Sequence, residues 1–239
     1  MLGGVKVLTA HEFGLAACQA SIYTPDGDSP AVAVLGDLLP QWRDLFDAPP
    51  EVVAHPASPH PRILLGSATG QWRCEIAADR TDFYWLRREA RAPVPAIAEF
   101  FSTATEVLGH YAEVTGARVG RLAAIVNRVA AHDAPGRFLA GHLFRPELVG
   151  VGIDRTEALE VNLHHLRAMG PFQVNAWIRC RTPDDPRPAG RQMVLVTQDL
   201  NTLGEDAPSR RFTFPETDEF FTLAAREHED TLGRFFPSV

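Results

Sequence analysis

Between Phe172 and Cys180 apolar and polar side chains alternate without a break. Phe172, Val174, Ala176, Ile178 and Cys180 fall on one side, and Gln173, Asn175, Trp177 and Arg179 on the other. A period of two residues is that of a strand with one face in the core and one in water. Two more β-type runs flank it, Ala158 to Leu166 and Arg191 to Leu200. The chain turns between them at Met169-Gly170-Pro171 and through the polar residues 183–190. Three strands joined this way form an antiparallel meander, and a meander with one apolar face needs a covering layer.

The first half repeats the pattern. Arg62 to Ala68 reads as a strand and Ala68-Thr69-Gly70 as a turn. In Gln71 to Ala77, Trp72, Cys74 and Ile76 oppose Gln71, Arg73 and Glu75; Arg80 to Arg87 follows, with Thr81, Phe83 and Trp85 on one face. After Pro93 and Pro95, the spacing of Ile97, Phe100, Phe101, Ala104, Val107, Leu108 and Tyr111 predicts an amphipathic helix to about Thr115. Gly116 is placed to cap its C-terminus. A second long helix begins at Thr213-Phe214-Pro215-Glu216, a capping box in which the threonine oxygen and the glutamate carboxylate each satisfy an orphan amide. Its stripe is Phe220, Phe221, Ala224, His228, Thr231 or Leu232, and Phe235.

Shorter elements complete the order. Leu15 to Tyr23 is β-like, 31–48 is helical with a break at Pro40, and Gly120 to Ala130 is a β-type run. Residues 134–144 can hold a short helix, and Leu148 to Ile153 reads as a strand or turn weakened by glycine. The proline-rich stretch from Pro49 to Pro61, with His55 and His60, reads as a solvated loop. Each half thus gives strand, helix, three antiparallel strands, long helix. The expectation is an α+β fold of two meanders with long helices packed on the sheet, its halves at 1–116 and 117–239 forming one compact unit. A duplicated unit is suggested by element order alone.

Composition bounds the function. The chain has 239 residues, a hydrophobic fraction of 45% and a formal net charge of −7. A broad phosphate-binding surface relies on clustered lysine and arginine, so nucleic acid is not the expected partner. Lys6 is the only lysine among 23 basic residues. Cys18, Cys74 and Cys180 are widely spaced and in no CxxC arrangement, which points to reduced core thiols and a cytoplasmic location. No apolar run approaches the roughly 20 residues of a membrane-spanning helix. The phosphate loop with lysine, the GxSxG elbow and HExxH are all missing, and no metal or cofactor is expected.

The best polar cluster lies on the second meander. Glu160, Asn162 and His164 share one strand face; if it is the face bearing Asn175, Trp177 and Arg179, the five residues Glu160, Asn162, His164, Trp177 and Arg179 make a polar binding surface with an aromatic anchor. His165 points the opposite way. On the central run Arg121 and Asn127 share a face but stand roughly 20 Å apart. Arg128 turns to the apolar side, where it requires a carboxylate, with Asp199 and Glu227 as candidates for a structural ion pair. His228, on an apolar helix stripe, reads as a core histidine.

The run Arg121-Leu-Ala-Ala-Ile-Val-Asn127-Arg128 after a long helix resembles the RxxxRYxNRI-type signature of a sporadically distributed bacterial family of unknown function. Residues 61–85 and the strand Leu195 to Asp199 followed by a helix with Arg226-Glu-His228 and Phe235-Phe236 are similar to that family too. Ala124 and Ile125 stand where the family tends to have Arg-Tyr. The resemblance implies a bacterial protein and no particular activity. The residues favour a non-catalytic binding or accessory module for a partner protein or small ligand. Two alternatives stay open: an enzyme with a pocket lined by His164, Arg179 and a carboxylate such as Glu160, and a scaffold subunit that self-assembles as a homo-oligomer.

Overall fold

The computed structural model describes residues 7–26, 34–54, 61–145, 156–183 and 192–238. His55, His60 and the Leu148 to Ile153 run lie outside the described residues.

A 3-10 turn at Ala10–Glu12 leads into β1 (Gly14–Tyr23), then α1 (Val34–Gln41), β2 (Glu51–Val53), β3 (Arg62–Gly66), β4 (Trp72–Ile76), β5 (Arg80–Leu86) and α2 (Ile97–Thr115). The second half runs β6 (Arg121–Ala131), α3 (Pro135–Leu143), β7 (Glu160–Met169), β8 (Phe172–Arg181), β9 (Met193–Thr202) and α4 (Phe214–Phe235). All nine strands belong to one sheet in the order β2-β3-β4-β5-β1-β6-β9-β8-β7, and every pairing is antiparallel. The two expected meanders are therefore joined edge to edge through β1 and β6. The short β2 was not anticipated, because Pro49 and Pro50 immediately before it hide a three-residue edge strand.

The strand order reads the same from either end of the β1–β6 pair: β5, β4, β3 on one side answer β9, β8, β7 on the other. The long helices carry the same relation at residue level. Glu99-Phe100-Phe101-x-x-Ala104 in α2 matches Glu219-Phe220-Phe221-x-x-Ala224 in α4. Phe101 stacks on Phe221 with ring centroids 5.5 Å apart, so the two copies of the motif meet at the centre of the helical layer.

The helices cover one face of the sheet. Alternate residues of each strand enter that core: Cys18, Ala20 and Ile22 of β1, Phe83 and Trp85 of β5, Leu122, Ala124 and Val126 of β6, and Val174 and Ala176 of β8 pack against Phe100, Phe101, Leu108, Phe220, Phe221 and Ala224. A smaller cluster, with Phe138 and Leu139 of α3 against Ile178, Cys180, Val194 and Val196, closes the far end with Leu232 and Phe236. Burial of each large apolar side chain contributes on the order of 1.5–3 kcal/mol, so the interlocked phenylalanines hold the helical layer to the sheet.

The helix ends follow their sequence signals. Gly116 takes φ 63° as the left-handed cap of α2. Thr213 N–H donates to Glu216 Oε2 at 2.7 Å while Glu216 N–H donates to Thr213 Oγ1 at 3.4 Å, closing the capping box of α4. In α2 only the glutamate half exists, with Ala96 N–H donating to Glu99 at 3.0 Å.

Candidate binding face

Because strand residues alternate, whatever does not enter the core emerges on the opposite sheet face. Among the described residues no helix covers that face. It is floored by Gln19, Ser21 and Tyr23 of β1, Asp82 and Tyr84 of β5, Arg121 and Asn127 of β6, Thr197, Asp199 and Asn201 of β9, and the polar sides of β8 and β7. Short side chains sit low among long ones, so that Asp82 is only 3% exposed and Asn201 5%.

The register brings the five sequence-predicted residues together. His164 lies opposite Trp177 and Asn162 opposite Arg179. The His164 imidazole stacks on the Trp177 indole with centroids 4.1 Å apart and planes 19° from parallel, and its Nε2 is 3.0 Å from Asn175 Oδ1. Arg179 Nε donates to Asn162 Oδ1 at 2.5 Å and stands 3.6 Å from Glu160 Oε1. Asn162 in turn donates to Glu160 at 3.0 Å. Trp177 remains 40% exposed.

On the other flank of Trp177 lies a part not foreseen as a site. Asp199 is its cross-strand neighbour on β9, and accepts from Asn201 Nδ2 at 3.0 Å. Asn201 Oδ1 accepts from Arg121 Nη2 at 2.6 Å and from Asn175 Nδ2 at 3.5 Å. Burial pushes the Asp199 carboxyl above its usual range, against the hydrogen bond from Asn201 and the charges of Arg121 and Arg179. Further along, the Tyr23 ring lies between two guanidinium groups, Arg121 at 4.7 Å and Arg80 at 5.5 Å. Arg80 pairs with Asp82 at 2.7 Å, and Ser21 Oγ donates to Asp82 at 2.5 Å. The signal that would have found this part is in β9, where Thr197, Asp199 and Asn201 alternate with Val196, Gln198 and Leu200. Arg121 and Asn127 do share this face without meeting: Asn127 Oδ1 accepts instead from Thr197 at 2.6 Å.

The expected ion pair is corrected. Arg128 is buried on the helix side, as its parity requires, but its carboxylate is Glu229 at 2.9 Å. Its other nitrogen donates to Gln198 Oε1. Asp199 cannot reach it, because one residue along β9 reverses the face. Glu227 serves Arg167 at 2.7 Å instead, since the two residues from Glu227 to Glu229 turn the side chain about 200° around the helix. Burial works against ionisation of Glu227, but hydrogen bonds from Arg167 and Thr231 hold its carboxyl below the usual range.

No protein-family model matches the chain, and no curated protein matches it. Among solved structures it is similar to Methanococcus jannaschii TBP, at 13% identity and a TM-score of 0.27, over 93% of this chain and 98% of that one. A likeness that slight carries no argument about fold or function.

The thiols are placed away from any chemistry. All three cysteines are free and buried, and burial pushes Cys18 and Cys180 up to about 12 and Cys74 further still. A nucleophilic cysteine requires the opposite shift. His228 is likewise a core group. It is 1% exposed, burial together with the charges of Arg128 and Arg167 pushes its pKa down to about 3, and it stacks on Phe101. Among the described residues no three His, Cys, Asp or Glu side chains group as metal ligands, and no helix is long and apolar enough to cross a membrane.

Proposed function

We propose that the chain is a non-catalytic binding module, held in the cytoplasm, that recognises a partner protein or a small polar ligand on the helix-free face of its sheet. The observation that carries this is the half-exposed Trp177, fixed by the His164 stack inside a pre-formed array of Arg179, Asn162, Glu160, Asn175, Asp199 and Asn201. Side chains already held in place lose little freedom when a ligand arrives, which is how preorganisation raises affinity. Tryptophan and arginine are the residues that most often anchor interfaces.

Charge bears on the partner. On this face Arg62, Arg73, Arg80, Arg121, Arg179 and Arg181 stand against Glu51, Glu75, Asp82, Glu160 and Asp199. Near-neutral balance supports the expectation that nucleic acid is not bound, since a phosphate backbone demands a surplus of cations. Catalysis draws less support. His164, Arg179 and Glu160 do share the face, but they spend their hydrogen bonds on Asn175, Asn162 and each other.

Trp177→Ala and Arg179→Ala test the proposal. Both side chains are exposed on a strand whose core side they do not touch, so each variant should keep its melting temperature within about 2 °C of the parent, as surface substitutions do. Each should lose most of the partner or ligand that the parent retains in native mass spectrometry and pull-down. Unfolding of both variants, or unchanged capture by both, refutes the reading.

A further inference from the structure

The chemistry of this face narrows what it can hold. Three of its arginines are paired within the face: Arg80 on Asp82 at 2.7 Å, Arg73 on Glu75 at 2.6 Å, Arg179 beside Glu160 at 3.6 Å. Arg121 is held by Asn201 and the Thr202 carbonyl. Near Trp177 an anionic ligand would have to displace Glu160 and Asn162 from Arg179 or Asn201 from Arg121, and a cationic one would meet Arg121 and Arg179 on either side of Asp199. Around Trp177, by contrast, uncharged hydrogen-bonding groups are dense. Asn175 neighbours it on β8, Asn201 lies on β9 and Asn162 on β7, with the Asp199 carboxyl group among them. The indole has His164 against one side, and that imidazole is itself fixed by Asn175. On β9 the register partner of Trp177 is Asp199, and the tryptophan stays 40% exposed.

We propose that the ligand is an uncharged, hydroxyl-rich molecule, a saccharide, with one pyranose ring lying on the free side of the Trp177 indole and its hydroxyls bonded by Asp199 and Arg179. The axial C–H groups of a pyranose are weakly positive and fit the negative face of an aromatic ring. Vicinal hydroxyls both donate and accept, so they match a carboxylate beside primary amides, which offer acceptors and donors side by side. Asp199 is suited to this role because it forms no ion pair among the described residues and keeps one oxygen beyond its bond from Asn201. A planar base would use the same indole, but nucleotides bring phosphate, and the arginines nearest the indole are already engaged, Arg179 by Asn162 and Glu160 and Arg121 by Asn201. This inference rests on the binding-face reading above.

The test is calorimetric titration of the full chain with maltohexaose, cellohexaose and xylohexaose, with adenosine as a planar aromatic control. At least one hexasaccharide is expected to bind saturably with Kd below about 1 mM. Trp177→Ala should weaken it tenfold or more, Trp177→Phe should retain part of the affinity, and Asp199→Asn should weaken it with the melting temperature unchanged or raised. Saccharide binding that survives Trp177→Ala, or the absence of binding by all three sugars, overturns the inference. Should adenosine alone bind, and Trp177→Ala abolish it, the saccharide is wrong and the binding face stands. Should no probe bind and neither Trp177→Ala nor Arg179→Ala alter capture from cell extract, the face itself fails with it.

Discussion

His228→Leu is the most informative single perturbation of the core. The imidazole sits 1% exposed between sheet and helix, its Nε2 has no hydrogen-bond partner among the described residues, and it is held neutral with a pKa near 3 against an ordinary 6.5. In the matched helix motifs its counterpart is Leu108, seven residues after Phe101 as His228 is after Phe221. A pKa depressed on folding means that the unfolded chain binds the proton more readily, so stability rises with pH between about 3 and 6.5 and falls as acid is added across that window. At about 1.4 kcal/mol per pH unit, the drop from pH 7.5 to 5.0 spans 1.5 units below 6.5 and costs the parent about 2 kcal/mol through this residue. Stopping at pH 5.0 leaves Glu227 and Glu216, whose pKa values are lowered, out of the measurement. The Gln198 bond to the His228 backbone carbonyl, 2.8 Å, survives the substitution. Urea unfolding of both proteins at the two pH values, followed by circular dichroism, reads the difference. The leucine variant should match or exceed the parent at pH 7.5 and should lose about 2 kcal/mol less on acidification. Parallel losses in the two proteins refute a buried neutral histidine as the acid-sensitive group.

Two further substitutions probe the frame. A Cβ on Gly120 would lie 2.3 Å from the Ala207 carbonyl oxygen, so Gly120→Ala should cost about 1–3 kcal/mol, read as a lower urea midpoint at unchanged slope; a neutral result means that the loop at Ala207 yields freely. Thr213→Ala removes the hydroxyl half of the α4 capping box and should cost about 1 kcal/mol, a fall of about 2–4 °C in a thermal scan.

Much of the fold was legible because the chain uses strict periods. Alternation in β4 and β8 and the stripe of α2 assign core faces with no further information, and the pairing of His164 with Trp177 follows once the Met169-Gly170-Pro171 turn sets the register. What local pattern could not supply was the meeting of elements distant in sequence. The choice of Glu229 over Glu227 for Arg128 depends on how α4 is rotated above β6, and a one-residue error in parity moved Asp199 to the wrong side of the sheet. Glu-Phe-Phe-x-x-Ala in both long helices was readable but short, and it gains meaning only from the Phe101–Phe221 stack. β2 was hidden for a different reason: three residues carry too little alternation to outweigh the prolines before them.

The β1–β6 ladder also bears on how the molecule forms. Every other ladder joins strands nearer in sequence: β1 to β5 and β6 to β9 close within their own halves, and hairpins such as β4–β5 and β7–β8 are local. Ala20 and Ala124, by contrast, are 104 positions apart, and closing an unstructured loop of that length costs about 4 kcal/mol more than the contact-independent constant. If each half folds first, most of that loop is already collapsed and the cost largely disappears. The central seam is then the slow step of assembly, a docking of two ready-made pieces, and Phe101 against Phe221 is where they lock. A chain cut between α2 and β6 should therefore yield fragments that find each other in solution, at a rate set by their concentration.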